Sequence, residues 1–409
     1  MMAETKEVSK LAVPAWLLAS VPLVATFVPK AMVILLALVA LPSLYQAWRQ
    51  QRLSDVFPKA ALTVAGLAFI WLSYRAMFPF DGQQSGVELL KYVVLVVLGF
   101  GAVWWCRNLK GSDRAAGAKA LIFGALVAVS GIYVLGFAIS MGWDAWIGIE
   151  RSDKLSIFNT GLIVVTVLTP ILVLFVQRLW NKAWALIFAA LVMGATILIG
   201  STTATGALLI GLVVAFFVHK LGRQAVQLIA VLCVSVVVVF PVVVPLVMDR
   251  IDVALEGDSK QKEIGDSVDF LGSLGHRYYI WRFALEKARE RPLIGWGFDT
   301  SRDVPGGHEN VGWGKELMPL HPHNAVLQVW LELGVPGLLL LGAVVWLLLR
   351  PPPEERRLIN GGLLARTTLL VMLLAVMNAT FGVWQSWWVA SLAMILAVTF
   401  LCEKRADQS

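Results

Sequence analysis

Read from the amino end, the chain alternates long apolar runs with short polar breaks. A helix needs about 20 mostly apolar residues to cross roughly 30 Å of hydrocarbon. That ruler predicts about twelve spans, near residues 11–28, 30–48, 58–78, 86–106, 117–140, 156–178, 182–200, 203–219, 223–247, 324–349, 361–381 and 384–402. The first has no small-residue cleavage site after a short apolar core, so it is expected to be a retained helix rather than a signal peptide. One segment breaks the pattern: from Met248 to Leu320 no apolar run reaches span length. Three parts follow: helices 1–9 over 1–247, a loop domain over 248–322, and helices 10–12 over 323–409.

The loop has its own periodicity. Tyr278, Trp281, Leu285 and Ala288 share one helical face, while Arg282, Glu286, Lys287 and Arg289 point elsewhere. An amphipathic helix is therefore predicted over 278–289, ended by Pro292. Gly295, Gly297, Gly306, Gly307, Gly312 and Gly314 make the remainder rich in turns.

Composition excludes a soluble chain. Of the 409 residues 58% are hydrophobic and 15% charged, against roughly 25% charged in soluble domains. The fold class expected is an all-α polytopic membrane protein. Cys106, Cys233 and Cys402 lie in or at the ends of apolar stretches, which leaves no disulfide framework and no CxxC metal pair. The formal charge of +7 matters less than its placement. Arg49, Arg52, Lys59, Arg107, Lys110, Arg114, Lys119, Arg178, Lys182, Lys220, Arg223, Arg350, Arg356 and Arg357 all fall in one set of short loops. Lys6, Lys10, Lys404 and Arg405 put both termini on that side, which the positive-inside rule makes cytoplasmic. The long loop then lies outside, and its ten basic and thirteen acidic residues form no basic patch for nucleic acid. Seventeen tryptophans, among them Trp48, Trp104, Trp143, Trp180 and Trp387, gather near the span ends as interfacial belts.

Ionisable groups are costly inside a bilayer and mark function there. Few lie mid-span; Arg75, Glu88, Lys91, Glu150, Arg151, Asp153 and Lys154 cluster at the outer face. This argues for work at the outer boundary and against a transport path, so a lipid-linked sugar flippase fits poorly. His219 reads as an interfacial residue, and His276 and His308 as solvated loop residues. His321 and His323 flank Pro322 where the loop re-enters the membrane. An H-x-H pair can ligate zinc, but no third ligand stands at motif spacing. Asn324, Gln328 and Glu332 follow at four-residue intervals and make a polar stripe facing the protein interior or a wet cavity. That stripe is either interhelical hydrogen-bonding glue or the mouth of a polar groove where His323 serves as a general base. Arginine grips phosphate bidentately. Arg151 and Arg277, with Arg282 next, are candidates for holding a diphosphate; ordinary surface ion pairing is the competing reading. No P-loop, GxSxG or HExxH motif points to a soluble nucleotide or a hydrolase.

His323-Asn324, nine residues and Gly334-Val335-Pro336-Gly337 resemble the H-[NSQ]-x9-G-x-x-[GTY] signature of the O-antigen ligase family. Arg151-Ser-Asp-Lys-Leu155 resembles that family's R-x3-L element. Gly275-His-Arg277-Tyr-Tyr-Ile-Trp281 and Pro292-Leu-Ile-Gly295-Trp-Gly297 resemble the start of the periplasmic loop in the wider ligase and polymerase superfamily. One departure stands out. Relatives often carry a basic residue after a Ser near the outer end of the seventh span, where this chain reads Ser201-Thr-Thr-Ala-Thr205.

The resemblance implies a GT-C type, metal-independent, inverting glycosyltransferase of the bacterial inner membrane with its site facing the periplasm. It implies transfer of a glycan from undecaprenyl diphosphate to lipid A–core, with membrane lipids around it and no cofactor. By the same token His323 would be the base, Arg151 and Arg277 the diphosphate grip, and Asn324 or Glu332 the group that fixes the imidazole tautomer; His321 and Gln328 would support. An O-antigen polymerase or a protein O-oligosaccharyltransferase of the same superfamily would share these features.

Overall fold

The computed structural model describes residues 13–78, 86–141, 158–256, 273–309, 316–351, 358 and 360–403. The elements in order are α1 (Ser20–Phe27, after a 3-10 turn at Ala15–Ala19), α2 (Met32–Arg49), α3 (Leu53–Val56), α4 (Lys59–Met77), α5 (Gly86–Asn108), α6 (Gly111–Ser140) and α7 (Asn159–Leu179). Then come α8 (Lys182–Ile199), α9 (Thr202–Leu221), α10 (Arg223–Glu256), α11 (Ser273–Glu290), α12 (Ala325–Leu349), α13 (Gly362–Met377) and α14 (Ser386–Thr399). Among the described residues there is no named strand, only an isolated bridge between Leu358 and Glu403.

Among the described residues, nine helices are long and apolar enough to cross a membrane: α2, α4 to α10 and α12. Three shorter apolar helices, Ala15–Phe27, Gly362–Met377 and Ser386–Cys402, occupy the remaining predicted stretches. The protein is therefore an all-helical, multi-pass membrane protein. Its surface says the same. Leu38, Ile70, Phe123, Leu186, Leu212, Phe216, Leu232 and Val242 are all exposed, on a scale that only an apolar solvent accommodates. Inside the helices, hydroxyls bond back to their own turn: Thr26 to the Pro22 carbonyl, Ser43 to Val39, Thr169 to Val165 and Ser391 to Trp387. Such bonds satisfy a side chain where no water is at hand.

Two features position the site. The first is a break in α12, where Gly334 takes a non-helical conformation with φ of 66°. The Pro292–Gly297 turn docks into this break: Trp296 N–H donates to the Leu331 carbonyl, Gly297 N–H to Glu332 and Val335 N–H to Pro292. The two family-like motifs thus meet backbone to backbone. A Cβ on Gly334 would lie 2.3 Å from the Leu293 oxygen, and one on Gly295 would lie 2.3 Å from the Glu332 carbonyl. Arg75 and Trp71 of α4 close the joint by donating to the Gly295 and Leu333 carbonyls. Gly334→Ala is expected to lower the thermal midpoint in detergent. The backbone strain alone costs about 1–3 kcal/mol, before the collision with Leu293 is counted. Gly66→Ala, with nothing within 4 Å of the added carbon, is the comparison that stays near wild type. Equal midpoints would contradict the docking.

The second feature is the α13–α14 corner. The stretch predicted as a span over 361–381 ends as helix at Met377, and α14 begins at Ser386. Residues 378–385 leave the helix, and their backbone supplies partners to the loop entry: Gly382 N–H to His321 and Val383 N–H to Gln328. Hydropathy reads Ala-Thr-Phe-Gly-Val-Trp as apolar and misses this use of the main chain.

Candidate active site

α11 runs over Ser273–Glu290 and buries the predicted face. Ala284, Leu285 and Ala288 are buried, Tyr278 and Trp281 are half-buried, and Arg282, Glu286 and Arg289 are exposed. Trp281 Nε1 donates to the Pro322 carbonyl at 2.8 Å, which pins the helix to the His321–His323 entry.

His323 sits at the start of α12 with φ of 53°, a left-handed conformation uncommon outside glycine. Its Nδ1 bonds the Thr380 carbonyl. A carbonyl only accepts, so Nδ1 carries the hydrogen and Nε2 keeps its lone pair. The tautomer expected from Asn324 or Glu332 is therefore set by a backbone group of the α13–α14 corner. Burial holds the His323 pKa below its usual value; the Thr380 bond opposes this, and Arg277 and His276 reinforce it. His321 lies alongside, with ring centroids 4.3 Å apart. Its Nδ1 lies 3.2 Å from His323 N–H and its Nε2 lies 3.1 Å from Gly382 N–H. A neutral imidazole accepts one such bond and a protonated one accepts neither. Burial, with His323 and Arg302 adding, accordingly pushes His321 down to about 3. His321 is thus a neutral strut between the two segments.

Asn324 is the N-cap of α12: its Oδ1 accepts from Leu327 N–H at 3.0 Å, the ordinary role of Asn at that position. Gln328 bridges by accepting from Val383 N–H and donating to Glu332. Glu332 is fully buried. Five donors converge on it: Asp299 N–H, Ser301 N–H, Ser301 Oγ, Gln328 Nε2 and Trp384 Nε1. The polar stripe is therefore an organised scaffold that ties the 295–303 turn and the α13–α14 corner to α12.

Arg277 lines a cleft of about 460 Å³ with Thr202, Thr203, Met248, Trp281 and Ala379. Otherwise the walls are apolar. Burial lowers the Arg277 pKa, and among the described residues no salt bridge to a carboxylate pairs it, an arrangement that suits contact with an anion. Thr202 and Thr203 of the Ser201–Thr205 run open onto this same cleft. Arg282 is exposed on another face of α11 and is not in the lining. Arg151 and its R-x3-L run lie outside the described residues. His276 contacts the Glu316 carbonyl, His308 the Glu316 carboxylate, and His219 is exposed at the far end of α9. Among the described residues no group of three or more His, Cys, Asp or Glu is placed to hold a metal.

The sequence reading did not find Thr380, Trp384, Ser301 or Asp299. Thr380 contributes a carbonyl, which every residue possesses. The others become visible only once Glu332 is seen to need donors.

Part of this chain is similar in sequence to known proteins. Residues 185–342 match the family model described as O-antigen ligase, spanning α8, the loop and the first two-thirds of α12. Two relatives, each named "Putative polysaccharide ligase", come from Rickettsia conorii and Rickettsia felis. The first is 24% identical over 86% of this chain and 82% of its own length; the second is 23% identical over 82% and 78%. A relative of the same name from Rickettsia bellii is 30% identical over 32% of this chain and 33% of its own length. His323 and the docked glycine motifs all lie inside residues 185–342, the part of this chain that is similar to the O-antigen ligase family.

Proposed function

We propose that the protein is an O-antigen ligase that moves a glycan from undecaprenyl diphosphate to lipid A–core at the periplasmic face of the bacterial inner membrane. The observation that carries this reading is the His323 imidazole, fixed by Thr380 so that Nε2 keeps its lone pair, near an apolar cleft whose one cation among the described residues is Arg277. The polyprenyl tail lies along the apolar wall and the diphosphate meets Arg277, with Arg151 as the second grip. The acceptor hydroxyl oxygen attacks the anomeric carbon, forming the new glycosidic bond and inverting that carbon. The bond from the anomeric carbon to the diphosphate oxygen breaks, and its electron pair leaves on the diphosphate, where Arg277 stabilises the charge. The hydroxyl proton passes to His323 Nε2. Because the donor is already activated, no nucleotide or resident metal enters these steps.

The test is transfer by the purified full chain, from undecaprenyl-diphosphate-linked glycan to lipid A–core in detergent with EDTA. A ladder that requires lipid A–core supports the ligase. Glycans lengthened on undecaprenyl diphosphate without that acceptor would replace it by a polymerase. Arg277→Ala is expected to weaken undecaprenyl diphosphate binding by about 10- to 150-fold, equivalent to a charge-assisted hydrogen bond of about 1.5–3 kcal/mol. Arg277→Lys should recover only part of this, since one ammonium cannot match the planar fork. Arg282→Ala serves as the exposed comparison, and equal losses in Arg277→Ala and Arg282→Ala would remove Arg277 from the role.

A further inference from the structure

Beside His321 opens a second cavity, of about 500 Å³, that the reading above leaves unused. The two segments meeting at His323 border both this cavity and the apolar cleft. Trp281 and Ala379 line the cleft, while His321 and Gly382 line the second cavity. Between them stand the His323–Thr380 bond and the Trp281–Pro322 bond.

The two linings have opposite chemistry. The cleft offers one guanidinium in an apolar wall. The second cavity offers the carboxylates of Glu88, Asp299 and Asp303 against the guanidinium of Arg302, with the amide of Gln385 and the ring of Trp384. Carboxylates and amide oxygens accept from hydroxyl groups. Gln385 Oε1 is buried with no hydrogen-bond partner among the described residues, an acceptor that a ligand hydroxyl would satisfy. Tyr92 and Trp384, 5.6 Å apart, add aromatic surface of the kind that binding sites combine with a few fixed polar groups. Glu88 pairs with Lys91 and Asp299 with Arg302, so with Asp303 the group carries one net negative charge, which disfavours a phosphate by like-charge repulsion.

We infer that this cavity seats the sugar that accepts the transferred glycan, holding it through its hydroxyl groups and excluding phosphate at that position. The inference rests on the reading of His323 as base and adds where the second substrate lies. Donor and acceptor then lie in separate cavities that both border the segments carrying His323 and Thr380, compatible with an inverting displacement in which the nucleophile enters opposite the leaving group. The acid-lined side keeps a lipid diphosphate from entering in place of the acceptor.

The probe is core oligosaccharide freed of lipid and of phosphate, its binding to the full chain in detergent followed by saturation-transfer NMR. This needs no catalysis. Binding to wild type is expected, about tenfold weaker in Gln385→Ala and in Asp303→Asn, restored by Gln385→Glu, and unchanged by Arg277→Ala. The phosphorylated oligosaccharide is expected to bind more weakly than its dephosphorylated form. No saturation transfer in wild type, or equal signals in wild type and in whichever of the two cavity variants fold, would overturn the acceptor cavity. Undecaprenyl diphosphate binding in the same preparations judges the donor reading separately: its absence from wild type would strike that reading and leave the saccharide result standing.

Discussion

Replacing His323 by alanine is expected to lower glycan transfer by about 10²–10⁴-fold, the usual contribution of a positioned general base, with undecaprenyl diphosphate binding retained. The expectation comes from one contact. With Nδ1–H committed to the Thr380 carbonyl, Nε2 is the nitrogen left to take the acceptor proton. The pH dependence carries a definite sign. Burial lowers the His323 pKa against the opposing Thr380 bond, and Arg277 and His276 lower it further. The neutral base therefore persists below the ordinary imidazole value of about 6.5, and kcat/KM should fall only as pH drops through a value lower than that. Transfer by His323→Ala at the wild-type rate would remove the base. An acid limb centred above pH 6.5 in wild type would show that a different group titrates.

Glu332→Ala should produce the largest loss of stability of any single substitution at the site. The carboxylate is fully buried and takes five donors from three separate segments. Truncation strands those donors in a dry interior, at about 1–3 kcal/mol for each one left unsatisfied, so the total is several kcal/mol. The 295–303 turn and the Trp384 corner lose their common anchor. Hydrogen exchange should therefore rise first at Asp299 and Ser301, whose amides donate to the carboxylate. Glu332→Gln keeps one acceptor oxygen but turns an NH2 toward other donors, so it is expected to fall between Ala and wild type. A thermal midpoint for Glu332→Ala equal to wild type, with exchange at Asp299 and Ser301 unchanged, would show that the carboxylate does not hold the joint together.

Several parts of this protein could be read from residue order alone. Membrane helices declare themselves in one dimension, because lipid solvates every face of a span and a run of about 20 apolar residues is then sufficient. The α11 face was equally legible, since Tyr278, Trp281, Leu285 and Ala288 recur at helical spacing. His323, Arg277 and the Asn324–Gln328–Glu332 stripe stood out because polar groups at a membrane boundary are costly unless they have a use. Even the docked glycines were present as motifs, with no indication that the two motifs touch.

What only the tertiary structure decided is where each polar group finds its partner. Asn324 turned out to cap its own helix, Gln328 and Glu332 to hold a scaffold, and Arg282 to face away from the cleft. The imidazole tautomer depends on a carbonyl 57 residues away in sequence, at a residue that hydropathy places within the span predicted over 361–381. Backbone N–H and C=O groups are identical at every non-proline position. A site built from them leaves no mark in composition or periodicity: the α12 break at Gly334 receives the Pro292–Gly297 turn, and the end of α13 at Met377 lets the Thr380 and Gly382 backbone groups reach His323 and His321.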